Sequence, residues 1–135
     1  MIGLLLALVL ASQSCGDVRV RVVREARRQG VDADVALALA WRESRWTCGA
    51  RSSAGAVGPL QVIPRHWCPG GREAGCDLVA AGIRALAYYR RTSPDWSEAL
   101  CRYNAGTRGC AMGRGAGFAA SVLEGRGARG VIAAR

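Results

Sequence analysis

The chain has 135 residues and a formal net charge of +9, every basic residue being arginine, and half of its residues are apolar. That length holds one compact domain and not two, and the apolar share excludes a disordered basic tail. The charge suits any polyanion, but the arginines are scattered and no nucleic-acid motif accompanies them, so nucleic acid is not an expected partner.

From the N-terminus, Ile2 to Ala11 is an unbroken apolar run. It is too short to span a bilayer, which takes about 20 helical residues, and has the length of a signal-peptide core. Ser12-Gln13-Ser14 supplies the small residues of a cleavage site, although only the terminal amine stands in for a positive n-region. Residues 1–14 are therefore read as a signal peptide, with an N-terminal core helix as the alternative. The expected product is exported, with no integral membrane segment once the signal is removed. Export makes the even set of six cysteines, Cys15, Cys48, Cys68, Cys76, Cys101 and Cys110, a disulfide framework first. Local pairs Cys68 with Cys76 and Cys101 with Cys110 are the simplest of the 15 possible pairings, leaving Cys15 for Cys48. A lipoprotein acylated on Cys15 is the lesser alternative, because it would strand one cysteine. A zinc site on His66 and Cys68 lacks a second short ligand pair, and a nucleophilic cysteine would have only His66 as its base.

Val18 to Gln29 interleaves valines with arginines as a first amphipathic helix, stopped by Gly30. Asp32 then caps a helix through Val35-Ala36-Leu37-Ala38-Leu39-Ala40-Trp41-Arg42-Glu43-Ser44. Thr47 to Gly75 is rich in Gly, Ser and Pro, and a stretch of that length inside a compact domain usually carries function. Helical spacing returns over Leu78 to Arg91. Ser93-Pro94-Asp95 opens a further helix, with Pro94 in its first turn, running into Tyr103-Asn104. Gly109 to Gly117 reads as a flexible connection, Phe118 to Leu123 as a closing helix, and 125–135 as a disordered basic tail. No β-alternation is convincing, so the expected fold is mostly α.

Glu43 is the residue on which function turns. On a helix it shares a stripe with Ala40, Leu39 and Ala36, so its carboxylate is aimed at the core or its edge. Desolvation there raises a carboxyl pKa toward the range of a general acid working near neutrality. Downstream stand Gly55-Ala56-Val57-Gly58-Pro59-Leu60-Gln61 and Tyr103-Asn104-Ala105-Gly106. In order and spacing these three segments resemble the soluble lytic transglycosylase family of the lysozyme-like superfamily, with its Glu-Ser, Gly-Ala-x-Gly-Leu-Met-Gln and Ala-Tyr-Asn-Ala-Gly blocks. The resemblance covers about residues 18 to 124, within a domain assigned to 15–124, and implies a lysozyme-like single domain.

It further implies that Glu43 is the one catalytic carboxylate, first acid and then base, and that the 6-hydroxyl of N-acetylmuramic acid attacks in place of water. The product is then a 1,6-anhydro sugar. By the same resemblance Gln61 lines the glycan groove, the Tyr103 hydroxyl reaches the carboxylate or the sugar, and Asn104 binds the glycan. Ser44 orients substrate or caps the turn after the helix. Gly55 and Gly58 take positive φ or let the backbone approach the sugar. Pro59 and Leu60 replace Leu-Met, which changes the donors and φ of the block, and Arg102 replaces an alanine and reads as a solvated face. Trp46 and Trp67 flank the groove segment as candidate stacking platforms, whereas Trp41 belongs to the core. The expected partner is the peptidoglycan glycan strand, acted on by a monomer without cofactor or metal. The rivals are a muramidase of the same fold that uses water, a wall-binding protein without catalysis, and a cationic antimicrobial protein.

Overall fold

The computed structural model describes residues 16–133, with side-chain surroundings through residue 127. The expected signal peptide, residues 1–14, and Cys15 lie outside the described residues. Among these the chain forms six α-helices and no strand: α1 Val18–Arg28, α2 Ala33–Ser44, α3 Pro64–Trp67, α4 Leu78–Arg91, α5 Trp96–Ala111 and α6 Ala116–Ala133, with a 3-10 turn at Pro69–Gly71. None of them is long and apolar enough to cross a membrane.

Four of the helices, α1, α2, α4 and α5, start where a short acid can satisfy the first free N–H groups. The Asp17 carboxylate accepts from Arg19 N, Asp32 from Asp34 N and Val35 N, Asp77 from Ala80 N, and Asp95 from Glu98 N. Asp95 is the cap of α5, which leaves Pro94 outside the helix and not in its first turn; the carboxylate, able to accept at that end, sets the boundary. α1 buries Val18, Val22 and Ala26, one face at four-residue spacing, and ends at Gly30 with φ +70.

α2 is the centre of the molecule. Val35 through Ala40 are all buried, so the segment is enclosed on every side. α1 and α6 pack along it, and α6 also rests on α5. Val79, Ile83 and Leu86 of α4 and Leu100 of α5 complete this core. A second, smaller core of Val57, Val62, Cys68 and Ala81 lies under the loop between α2 and α4. Val57 exchanges backbone hydrogen bonds with Val62, at 2.9 and 3.1 Å, and the Cys68–Cys76 disulfide closes the loop's far end.

Two connections differ from the sequence reading. Residues from Gly109 onward are not a loose link: α5 runs to Ala111, kinked at Gly106, and Cys101–Cys110 staples its last turns. Gly115 is held so close that an added Cβ would stand 2.8 Å from the Cys101 carbonyl. In the segment from 125, α6 carries on through Ala133.

Candidate active site

Glu43 is the next-to-last residue of α2, one turn beyond the enclosed segment, and its stripe partners Ala36, Leu39 and Ala40 are fully buried. Its carboxyl is thus carried at the edge of the core. Burial pushes it up from 4.5 to about 7, against the opposing pull of the Arg42 charge. Among the described residues it has no ion-pair or hydrogen-bond partner.

The helix stops because Arg45 and Trp46 turn left-handed, with φ of 52 and 58. Ser44 then ties the helix end to the functional loop. Its hydroxyl lies 2.8 Å from the Pro59 carbonyl and 3.1 Å from that of Ala40, and it accepts from Thr47 N. The hydroxyl is committed to the protein, so Ser44 is a brace beneath Glu43.

The loop crosses the end of α2 as a tight turn from Gly58 to Gln61, closed by Gln61 N on the Gly58 carbonyl at 3.1 Å. Gly58 has φ +82, and a Cβ there would come within 2.9 Å of Leu78 Cβ. The position therefore admits glycine for two reasons. Gly55 takes φ +87 in open space. Pro59 occupies the second position of the turn, where its fixed φ fits and no N–H is required; replacing the usual leucine costs the turn nothing. Leu60 is fully buried against α4, where Gly82 makes room: a Cβ on Gly82 would be 2.5 Å from Leu60 Cβ.

Tyr103 of α5 reaches across to this turn and donates its hydroxyl to the Leu60 carbonyl. Burial, then the nearby Glu43 and Tyr89, hold that phenol well above its ordinary pKa. The hydroxyl is accordingly a fixed neutral donor on the loop beside the carboxyl. Gln61, itself at φ 51, donates its side-chain amide to the Ala50 and Gly58 carbonyls at 3.1 and 3.0 Å, leaving its amide oxygen for a ligand. Asn104 is exposed, and Gly106 breaks the helix just beyond it.

A cavity of about 120 Å³ runs from this point, walled by Gln61, Ile63, His66, Trp67, Tyr89 and Tyr103. Tyr89 meets the Tyr103 ring at 6.2 Å and the Trp67 ring at 6.0 Å, and Trp67 in turn meets Tyr88 at 5.7 Å. The result is a continuous aromatic wall from the neighbourhood of Glu43 to the surface, where Tyr88 is 45% exposed. Sequence reasoning passed over Tyr88, Tyr89 and His66 for this role. The available signal was the adjacent Tyr-Tyr pair, which gives α4 one inward and one outward ring.

Trp46 is not part of that wall. The left-handed turn folds it back over α2, where its indole N–H donates to the Leu37 carbonyl at 3.0 Å and its ring packs edge-on to Trp41. Trp41 lies two residues before Glu43, about 200° around the helix. Arg102 is not a solvated face either: it donates to Glu98, the Thr92 carbonyl and Ser93 Oγ, binding the start of α5 to the end of α4. The Cys68 sulfur is bonded to Cys76, which removes it from any metal site with His66. Cys48 is not free, and its expected partner Cys15 is outside the described residues.

The remaining carboxylates near the site have other work. Glu73 pairs with Arg51 and Glu98 with Arg102, Asp77 caps α4 while pairing with Arg21, and Asp95 caps α5. Among the described residues, no second carboxylate is thus free at the site to serve as a nucleophile or base.

A family model described as the Transglycosylase SLT domain matches residues 22–112. The chain belongs to this family. Glu43, the Gly58–Gln61 turn, Trp67, the α4 tyrosines and Tyr103-Asn104 all lie inside the match. No curated protein and no solved structure matches the chain. The SLT assignment makes this a transglycosylase-type domain that acts on peptidoglycan, and the mostly helical fold agrees with a lysozyme-like one.

Proposed function

We propose that this SLT domain is a lytic transglycosylase that cleaves the β-1,4 bond between N-acetylmuramic acid and N-acetylglucosamine, with Glu43 as its single acid and base. The observation that carries the reading is a lone, half-buried carboxyl with a pKa of about 7, beside a family-matched turn and tyrosine, with the neighbouring carboxylates engaged elsewhere.

Near neutral pH a substantial share of Glu43 is protonated and can donate to the glycosidic oxygen as the bond to the anomeric carbon breaks. With no second carboxylate to meet the developing positive charge, the muramic acid's own N-acetyl oxygen closes on the anomeric carbon. The Glu43 carboxylate left by the first step then takes the proton of the same sugar's 6-hydroxyl. That oxygen displaces the N-acetyl oxygen and forms the 1,6-anhydro ring. No water is consumed, and Glu43 ends protonated as it began. Gln61's free amide oxygen and the exposed Asn104 amide are suited to hold N-acetyl and hydroxyl groups, and Trp67 and the α4 tyrosines offer ring faces to the sugars.

The disulfides Cys68–Cys76 and Cys101–Cys110 support an oxidising compartment, and with it an exported enzyme that meets its substrate outside the cytoplasm. Turnover tests the assignment of Glu43. Glu43→Gln is expected to lose at least about a hundredfold of the rate on purified peptidoglycan, the lower end for acid–base catalysis, with fold and glycan binding intact. The wild-type rate should fall as pH rises through about 7, the carboxyl's pKa. A mutant above about a hundredth of the wild-type rate would assign the chemistry to another group.

A further inference from the structure

On the side of α2 turned away from Glu43 lies a second, larger cavity of about 320 Å³, lined by Ala38, Trp41, Arg42, Arg45 and Ser121. Its three α2 residues, Ala38, Trp41 and Arg42, centre on the face opposite the carboxyl, at 100° of helical rotation per residue, and Arg45 caps the helix beside them. The Arg45 guanidinium lies over the Trp41 ring, 4.9 Å from its centroid, and that of Arg42 over Phe118 at 5.3 Å. Stacking fixes the plane of each guanidinium and leaves its N–H edges for another acceptor. Neither is in a salt bridge among the described residues. One cation in the last turn of α2 complements the helix dipole, but that does not account for two of them bordering a cavity with an exposed hydroxyl, Ser121, on its far wall. Arg45 is further held by its left-handed backbone, whose N–H donates to the Trp41 carbonyl at 2.8 Å.

We propose that this cavity is a carboxylate-binding site for a peptidoglycan stem peptide. Two guanidiniums held over aromatic rings and an exposed hydroxyl match the donor needs of a carboxylate. Stem peptides bring carboxylates with them on the polymer this family acts on, so the inference rests on that reading. Because the site faces away from Glu43, a peptide held there leaves the cleft to the glycan. The site therefore anchors the enzyme to the mesh without occupying the cleft.

The test is a titration of the full chain with a free stem peptide ending in a carboxylate, and with the same peptide as its C-terminal amide, followed by NMR of the tryptophan indoles. The acid should bind with a shift of the Trp41 resonance and the amide about three- to tenfold more weakly, as for loss of a charge-assisted contact. Arg45→Asn, which tolerates the left-handed backbone, and Ser121→Ala should each weaken the acid peptide by about the same factor. Both variants should keep the wild-type circular dichroism. Equal binding of acid and amide, no change in either variant, or tighter binding of a poly(glycerol phosphate) than of the peptide would overturn the proposal. The readout is binding and not turnover. A chain that makes product without Arg45-dependent binding refutes this site alone, whereas one that binds the peptide and cleaves nothing refutes only the proposed reaction.

Discussion

Glu43→Gln separates the energetics of the buried carboxyl from its chemistry. Glutamine keeps the shape of a protonated glutamate and cannot ionise. In the wild type the folded carboxyl titrates at about 7 against 4.5 for the free side chain. Between those values the folded chain holds a proton that the unfolded chain has released. Wild-type stability must therefore fall as pH rises through that window, then level off above it. The full shift corresponds to about 3 kcal/mol, and allowing for solvent at a half-buried group leaves about 2 kcal/mol. Effects of the other titrating groups are common to both proteins and cancel in the difference. Urea unfolding with the disulfides intact should give Glu43→Gln and wild type within about 0.5 kcal/mol near pH 4, and the variant about 2 kcal/mol more stable near pH 8. A stability difference constant across that range would refute the elevated pKa, and with it the reason this carboxyl can serve as an acid near neutrality.

Gly82→Ala should destabilise the fold by about 1–3 kcal/mol in thermal or urea unfolding, despite alanine's better helix propensity, because its methyl meets Leu60. An unchanged or raised stability would contradict the packing of α4 on the turn. Tyr103→Phe strips the Leu60 carbonyl of its side-chain donor among the described residues and should cost about 1–3 kcal/mol, together with a loss of kcat; a variant of wild-type stability and rate would show that this bond does not hold the site. Trp67→Ala should raise KM for glycan strands while leaving kcat within about twofold, the mark of lost binding and not lost acid. A kcat effect as large as the KM effect would place the ring at the cleavage point.

The parts of the fold that could be read from the sequence are those set by local chemistry. Asp32 announces a helix start, Gly30 a helix stop, and the Val35–Ser44 run the helix that carries Glu43. What escaped depends on the three-dimensional surroundings. Trp46 stands three residues after Glu43 in the chain, but the left-handed pair Arg45-Trp46 sends it to the opposite side of α2, and nothing in the composition forecasts a non-glycine φ above zero. Gly109 to Gly117 looks flexible on glycine content alone, although a staple and close packing make it compact. The continuation of α6 past residue 124 runs through Gly125, Gly127 and Gly130, a composition that reads as loop. At the site, the sequence pointed to Gln61 and Tyr103 as ligand contacts. The structure adds that each is also a strut of the loop, Gln61 through its amide N–H groups and Tyr103 through Leu60. The aromatic wall was hidden because Tyr88 and Tyr89 also satisfy an ordinary amphipathic pattern.

The central claim is that Glu43 delivers the muramic acid's own hydroxyl, and not water, to the anomeric carbon. Its most direct test is mass spectrometry of the products formed from purified peptidoglycan in ¹⁸O-labelled water. The account predicts muramic acid ends one water lighter than reducing ends and free of label. Reducing ends carrying ¹⁸O would contradict it and make the enzyme a muramidase.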